Sequence, residues 1–293
     1  MYDIGALYEA SSVSDAVRLL NEHPAAIVIA GGSDVLIKLR EGKLAARELV
    51  SIYKIDALRG VSLDADGALR ILPLTSFSHI TRDPLIQKCI PVLGEATDKV
   101  GGPQVRNIGT IGGNISNGVT SADSASTLMA FDAVVEITGA DGVRTLPITQ
   151  FYTGPGKVAL AHGELVTAIL IPKESCENCF GHYIKYSMRN AMDIATIGCS
   201  VNVVLSADKK TIERARAAFG VAGPVPMRAR TAEQAITGKS VSRETVELFA
   251  NSVQSDVKPR TSWRATAEFR LHIIMETARR ALAEAVSRAG GVL

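Results

Sequence analysis

Along the N-terminal stretch, apolar residues recur first at helical and then at strand spacing. Ala16, Val17, Leu19 and Leu20 follow Ser14, a spacing that predicts an amphipathic helix with Ser14 as its N-cap. The unbroken apolar run "AIVIA" (Ala26–Ala30) reads as a short strand, and "GGSD" (Gly31–Asp34) as the turn that ends it. Val35, Leu36 and Leu39 then predict a brief helix before another strand around Leu49–Tyr53. Strand, glycine turn, helix and strand form a β/α unit of about the smallest size that a parallel crossover permits.

From Leu58 the period changes. "VSLDADGALRILPL" alternates apolar and polar positions around Asp66-Gly67, and "AVVEITGADGVRTLPI" does so around Asp141-Gly142. Both are hairpin signals, because Asp-Gly supplies the positive φ angles of a tight turn. Helices are expected near Phe77–Ile80 and Leu93–Val100, and "GELVTAILIP" adds a strand ended by Pro172. Residues 58–172 therefore read as a largely antiparallel sheet with helices inserted. The segment "TIGGNISNGVTSAD" (Thr110–Asp123) reads as a loop, with Asp123 standing where a helix cap belongs before "SASTLMAF".

A polar stretch, "KESCENCF" (Lys173–Phe180), suggests a boundary. Beyond it "TIGCSVNVVLS" and "ERARAAFGVAG" read as strands, followed by helices near Ala232–Ile236, Arg243–Val253 and Glu268–Ala289. In the last of these, Phe269, Leu271, Ile274, Ala278 and Leu282 mark the expected inward face. The expected division is 1–175, in subdomains of about 1–57 and 58–175, followed by 176–293.

Composition narrows the possible functions. The 293 residues are 46% hydrophobic and 21% charged, enough for a large core without disulfide staples. Lys and Arg number 32 against 30 acids, and aromatics are 5%, which argues against binding nucleic acid through bulk charge or stacked rings. No apolar run is long enough to span a bilayer. The N-terminus lacks a basic segment followed by an apolar one, and the four cysteines form no disulfide framework; a cytoplasmic setting is expected.

Conventional catalytic signatures are missing. There is no G-x-S-x-G elbow, and the five histidines lack metal-ligand spacing. One C-x-x-C (Cys176–Cys179) without a second pair closes no structural zinc site, so a bland surface loop is expected and no metal ligand is assigned. "TGKS" (Thr237–Ser240) carries Glu233 where a phosphate loop needs its first glycine. Two glycine segments keep the ingredients of an anion site. "AGGSD" (Ala30–Asp34) fails the dinucleotide fingerprint but joins paired glycines to a helix start, and on residues alone a plain turn is equally open. Gly112-Gly113 repeats the device, with Thr110, Asn114 and Ser116 as polar neighbours. A diphosphate can be gripped from two sides by such a pair.

Taken together, the two segments resemble the pyrophosphate loops of the FAD-binding medium subunits of molybdenum hydroxylases. The second matches over "PQVRNIGTIGGNISNGVTSAD". "TGPGKV" (Thr153–Val158), "MRNAMDIATIGCSV" (Met188–Val201), "FGVAGPVPMRA" (Phe219–Ala229) and "SWRATAEFR" (Ser262–Arg270) follow in the family's order. The resemblance covers nearly the whole chain and is strongest to the flavin subunits of bacterial three-subunit xanthine dehydrogenases.

It implies an α+β protein: a two-subdomain FAD-binding fold of the vanillyl-alcohol-oxidase/PCMH kind, then a C-terminal α+β domain of the carbon monoxide dehydrogenase flavoprotein type. Val28, Ile29, Ala30, Gly31, Gly32, Ser33, Asp34 and Val35 would wrap the diphosphate and ribityl of FAD. Thr110, Gly113 and Asn114 would hold the diphosphate from the other side, and Asp123 a ribose or ribityl hydroxyl. Leu165 or Val166 would pack on the adenine or flavin, with Lys185 near the isoalloxazine. The loop Arg189–Ile194, including Asp193, would govern acceptor access. Val100 stands where eukaryotic relatives stack an aromatic on the flavin, and a valine cannot stack. No catalytic side chain is implied, because the chemistry belongs to the flavin. The expected partners are a large molybdopterin-binding subunit and a small subunit with 2Fe–2S clusters, with NAD⁺ as acceptor and xanthine or another purine as substrate. Carbon monoxide, nicotinate, an aldehyde or another heterocycle as substrate, and a flavin-free scaffold, are the competing readings.

Overall fold

The computed structural model describes residues 2–293. The chain opens with β1 (Ile4–Glu9), α1 (Val13–Glu22), β2 (Ile27–Ile29), α2 (Val35–Arg40) and β3 (Arg47–Ser51). The three strands form a parallel sheet in the order β1-β3-β2, so β2 is an edge strand. The parallel crossover expected from the sequence is present, but β1, which pairs along β3, was not foreseen. The cap of α1 is Ser12, whose hydroxyl accepts from the Asp15 amide at 3.1 Å, rather than Ser14. The helix therefore starts earlier than its apolar spacing suggests. Ala16, Val17, Leu19 and Leu20 are buried as expected.

The next unit holds β4 (Val61–Leu63) and β5 (Leu69–Ile71), then the helices α3 (Phe77–Arg82), α4 (Pro84–Cys89), α5 (Pro91–Asp98), α6 (Pro103–Ile108), α7 (Ile111–Ser116) and α8 (Asp123–Ala130). It continues through β6 (Val134–Gly139), β7 (Gly142–Pro147), α9 (Ile148–Phe151), the ribbon β8 (Tyr152–Gly154) and β9 (Lys157–Val158), and β10 (Leu165–Ile171). Five strands pair antiparallel in the order β4-β5-β10-β6-β7. Both Asp-Gly turns are present, with positive φ at Gly67 (86°) and Gly142 (111°). The segment expected to be a loop from Thr110 is instead helical at α7: Thr110 caps it and Ile111 and Ile115 are buried. Three short helices begin at prolines, which lack the N–H that a first helical position leaves unpaired.

After α10 (Lys173–Cys176) come β11 (Phe180–Tyr186), β12 (Ile197–Leu205), β13 (Ile212–Gly220) and β14 (Met227–Arg228), an antiparallel sheet in chain order. The helices α11 (Arg230–Ile236), α12 (Arg243–Ser252) and α13 (Ala267–Arg288) complete the fold. The buried stripe of α13 runs through Arg270, Ile273, Ile274, Ala278 and Leu282. Ile274, Ala278 and Leu282 are inward as expected, but Phe269 is exposed and Leu271 only half-buried, because Arg270 takes the inward position in the first turn.

Three apolar clusters hold these parts. The first gathers residues of α1 and β3 with Leu74 and Leu165, the second the five-stranded sheet with α3, α4, α5, α7 and α8, and the third the last sheet with α11–α13. Tyr183 and Ala218 of the last sheet are buried within the second cluster, so the two larger units share packing. Each fully buried Leu, Ile or Phe there is worth about 1.5–3 kcal/mol. Polar contacts add registry. Asp132 pairs with Arg216 and Arg228, and Asn202 Nδ2 donates to the Ala130 carbonyl at 2.6 Å.

Candidate functional site

The edge strand β2 carries Val28 and Ile29, and the chain leaves the sheet at Ala30 into Gly31 and Gly32. A Cβ on Gly31 would lie 1.9 Å from the Ile108 carbonyl oxygen, so only glycine lets this backbone touch the end of α6. Gly32 takes φ 74°. Among the described residues, the backbone N–H groups of Gly31, Gly32, Ser33, Asp34 and Val35 find no acceptor. The Ser33 hydroxyl is likewise unpaired, and Asp34 makes no side-chain cap to α2. Five successive amides without acceptors are unusual, because a backbone donor is nearly always paired or solvated. Here they line a half-buried surface.

Gly109 to Asn117 face this run. Gly112 is a packing glycine: its amide donates to the Pro73 carbonyl at 2.9 Å, and a Cβ would sit 2.3 Å from Pro73 Cβ. Gly113 is exposed and its amide donates to the capping Thr110 Oγ1 at 3.2 Å; a Cβ there would lie 2.9 Å from that hydroxyl and 4.0 Å from Ala30 Cβ. The two glycine segments, far apart in sequence, thus form the two walls of one cleft. Asn114 Oδ1 accepts from Ser124 Oγ at 2.7 Å, which leaves the Asn114 amide nitrogen as its free donor. Lys38 of α2 closes one end of the cleft, donating to Asn117 Oδ1 at 2.7 Å. Sequence reasoning missed this bridge; nothing in the local pattern around Lys38 signals it.

Asp123 is buried at the start of α8. The cap residue of that helix is Ala122, and the Asp123 side chain makes no cap, contrary to expectation. Its Oδ1 accepts from the Tyr183 hydroxyl at 2.7 Å and its Oδ2 from Lys185 Nζ at 2.8 Å. Burial raises the carboxyl above its usual range, and Lys185 and Tyr183 oppose that. Burial beside Asp123 pushes the Tyr183 phenol well up, so it remains a donor. Lys185 also donates to the Lys99 carbonyl at 2.8 Å, next to Val100. Tyr183 was missed, although it stands two residues before Lys185, and period-two spacing on a strand puts both on one face. Leu165 and Val166 lie on β10 with both side chains buried, the first in the N-terminal cluster and the second in the central one.

The segment after β11 folds back on itself. Asp193 accepts from the amides of Arg189 and Ile194, each at 2.9 Å, and its carboxylate pairs with the Arg189 guanidinium at 3.6 Å. The Met192 amide donates to the Gly101 carbonyl at 3.3 Å, seating this loop on the start of α6 beside Val100. Met188, Met192 and Ile194 are exposed on it. Elsewhere, Cys176 and Cys179 are half-buried against the central cluster rather than loose on the surface. Burial pushes their thiols up to about 12 and about 11, which keeps them protonated and inert. No helix among the described residues is long and apolar enough to cross a membrane.

A family described as the FAD binding domain in molybdopterin dehydrogenase matches residues 2–174, and the CO dehydrogenase flavoprotein C-terminal domain matches residues 182–285. The chain belongs to the FAD-binding subunits of the molybdenum hydroxylases, an oxidoreductase family, as its glycine segments implied. It is 43% identical to the xanthine dehydrogenase FAD-binding subunit of Escherichia coli O157:H7 over the full length of both. The glyceraldehyde dehydrogenase medium chain of Sulfolobus acidocaldarius is 28% identical over 90% of this chain and 92% of its own. Among solved structures, carbon monoxide dehydrogenase from Hydrogenophaga pseudoflava superposes with a TM-score of 0.93 at 28% identity, covering 98% of this chain and 99% of that one. The α+β fold and the flavoprotein type of the C-terminal part are those expected.

Proposed function

We propose that this chain is the flavin-carrying electron-transfer subunit of a xanthine dehydrogenase-type complex, receiving electrons from an iron–sulfur partner and delivering them to NAD⁺. The observation that carries it is the cleft between Gly31–Val35 and Gly113, where a run of unpaired amides begins at Gly31, whose lack of a side chain alone lets this backbone touch the Ile108 carbonyl. That donor set fits a diphosphate: it is neutral, dense in N–H groups and accessible to backbone approach. The residues around it fit the rest of FAD. Gly31 to Val35 and the Ser33 hydroxyl would donate to one phosphate, and Thr110, Gly113 and the Asn114 amide would hold the other. The buried Asp123 would accept from a ribityl or ribose hydroxyl while Tyr183 and Lys185 hold it oriented.

When bound, FAD supplies the junction between one-electron and two-electron carriers. The protein supplies position and electrostatics. Lys185, fixed by Asp123 and the Lys99 carbonyl, would present positive charge beside Val100, where the isoalloxazine is assigned. The Arg189–Ile194 loop would screen that place from water and regulate acceptor entry. A boundary near residue 175 would separate the flavin-holding part from the C-terminal domain. Molybdopterin and 2Fe–2S clusters are assigned to a large and a small partner subunit, and full-length identity to a xanthine dehydrogenase subunit supports a purine substrate.

The test is direct. The complex is purified with its partners, the nucleotide is released by denaturation and weighed, and electron transfer from xanthine to NAD⁺ is followed by NADH absorbance. FAD at one per chain with NADH formation is expected. FMN or no flavin would sink the flavin assignment, and turnover of only another heterocycle, an aldehyde or carbon monoxide would move the substrate.

A further inference from the structure

The turn leading into α13 carries positive charge that the flavin reading leaves unused. Lys258, Arg260, Arg264 and Arg270 form no ion pair among the described residues. Arg270 is only 3% exposed, yet no carboxylate meets it. Its guanidinium donates to the Thr196 carbonyl at 2.5 Å and to Ser262 Oγ at 2.8 Å, and its Nε has no acceptor. Burial lowers its pKa first, and the neighbouring Arg260 and Arg264 lower it further. Buried guanidiniums are ordinarily paired, because removing the charge from water is costly. Here the nearest charges are of the same sign.

The geometry holds these groups together. Ser262, gripped by Arg270, lies midway between Arg260 and Arg264 and accepts from the Arg264 amide at 3.3 Å. Paired backbone contacts between Ser262 and Ala265 close the turn. At its tip Trp263 is 78% exposed, with the Arg264 guanidinium 4.2 Å from its ring centroid. An exposed indole beside uncompensated guanidiniums is suited to a ligand that is planar at one end and anionic at the other.

We propose that this turn binds the phosphates and base of a nucleotide, with Arg260 and Arg264 on the phosphates and Trp263 against the ring. The ligand is the adenosine diphosphate half of the dinucleotide acceptor, an assignment that rests on the acceptor reading above. Arg270 is the positioning residue: it ties the turn to Thr196, at the end of the loop that Met192 seats on Gly101. The nucleotide turn and the proposed flavin place beside Val100 are thereby built onto the two ends of one segment. A dinucleotide, with its two rings at opposite ends of a diphosphate, has the shape to reach from one to the other.

The experiment titrates ADP into the purified complex at fixed low salt, for the natural sequence, an Arg260→Gln/Arg264→Gln variant and Trp263→Ala. These positions are on the surface, so the core is untouched, and Arg270 is left in place. ADP should bind the natural complex, and each variant should weaken it by about tenfold or more. The KM for NAD⁺ should rise in the same variants by a similar factor. Absent ADP binding, equal binding by all three proteins, or inorganic phosphate binding as tightly as ADP overturns the proposal. Loss of subunit assembly in the variants overturns it too, because the turn is then a partner interface. Should the natural complex reduce an artificial dye but not NAD⁺, the acceptor reading fails, and the ADP titration still decides whether the turn holds a nucleotide.

Discussion

The two walls of the cleft look alike in sequence and differ in how their backbones are used. In the first, Gly31 makes a backbone-to-backbone approach to Ile108, and the amides through Val35 stay unclaimed. In the second, Gly112 is wedged against Pro73 with its amide committed, and Gly113 takes the Thr110 cap. The first wall therefore offers donors, and the second offers shape and a few side chains. Paired glycines, then, do not by themselves mark a binding surface. What marks one is whether the amides they bring close are left without partners after folding.

That contrast can be broken experimentally. The largest effect is expected from Gly31→Ala: the new methyl meets the Ile108 carbonyl, which is backbone and cannot swing aside. The walls must separate, and the chain should purify essentially flavin-free, measured as flavin absorbance per chain. Gly113→Asp should come next. A carboxylate about 6 Å from a phosphate at an effective dielectric of about 20 weakens flavin affinity on the order of 100-fold. An acid in the first turn of α7 suits the helix, but its Cβ would lie 2.9 Å from the capping Thr110 Oγ1, so a loss of only about 1 kcal/mol of stability should accompany the loss of flavin. Gly112→Ala should reverse that pattern, costing about 1–3 kcal/mol of stability in denaturant unfolding through the clash with Pro73. If Gly112→Ala and Gly113→Asp behave alike, the division of labour between packing glycine and cleft glycine is wrong. Lys38→Met should be the mildest. Losing one hydrogen bond from a charged donor across the cleft lowers flavin affinity about tenfold, and Lys38→Arg should recover most of it in the same flavin titration.

Much of the architecture was legible because it rests on local periodicity. The parallel β/α unit, both Asp-Gly hairpins, the strand before Pro172 and the three C-terminal helices follow from spacing and turn chemistry. The errors have identifiable physical causes. α6 and α7 hid in a stretch whose Pro, Gly, Asn and Ser all favour turns, and long-range packing of Ile111 and Ile115 overrode those preferences. β1 has no fully buried residue, only Ala6 and Tyr8 half-buried, and is recognised by its pairing with β3. Phe269 fits a helical repeat but lies outside, because buried Arg270 takes the inward position beside it.

The site shows the same limit. Asp123 read as a helix cap because local chemistry makes caps common, but Tyr183 and Lys185, sixty residues and more along the chain, claim both its oxygens. The cysteines of "CENC" looked like a surface loop, and burial against the central cluster made them inert.

The amino-acid sequence by itself determined the parallel β/α unit, the two Asp-Gly turns, the C-terminal helices and the family, since each depends on residues within a few positions of one another or on a short motif. Only the tertiary structure decided which amides remain free, that Lys38 reaches Asn117, that Asp123 is gripped from β11, and that three arginines share one turn without a counter-charge. Those facts arise when segments distant along the chain are pressed together, and burial then fixes which partners and charges each group has left.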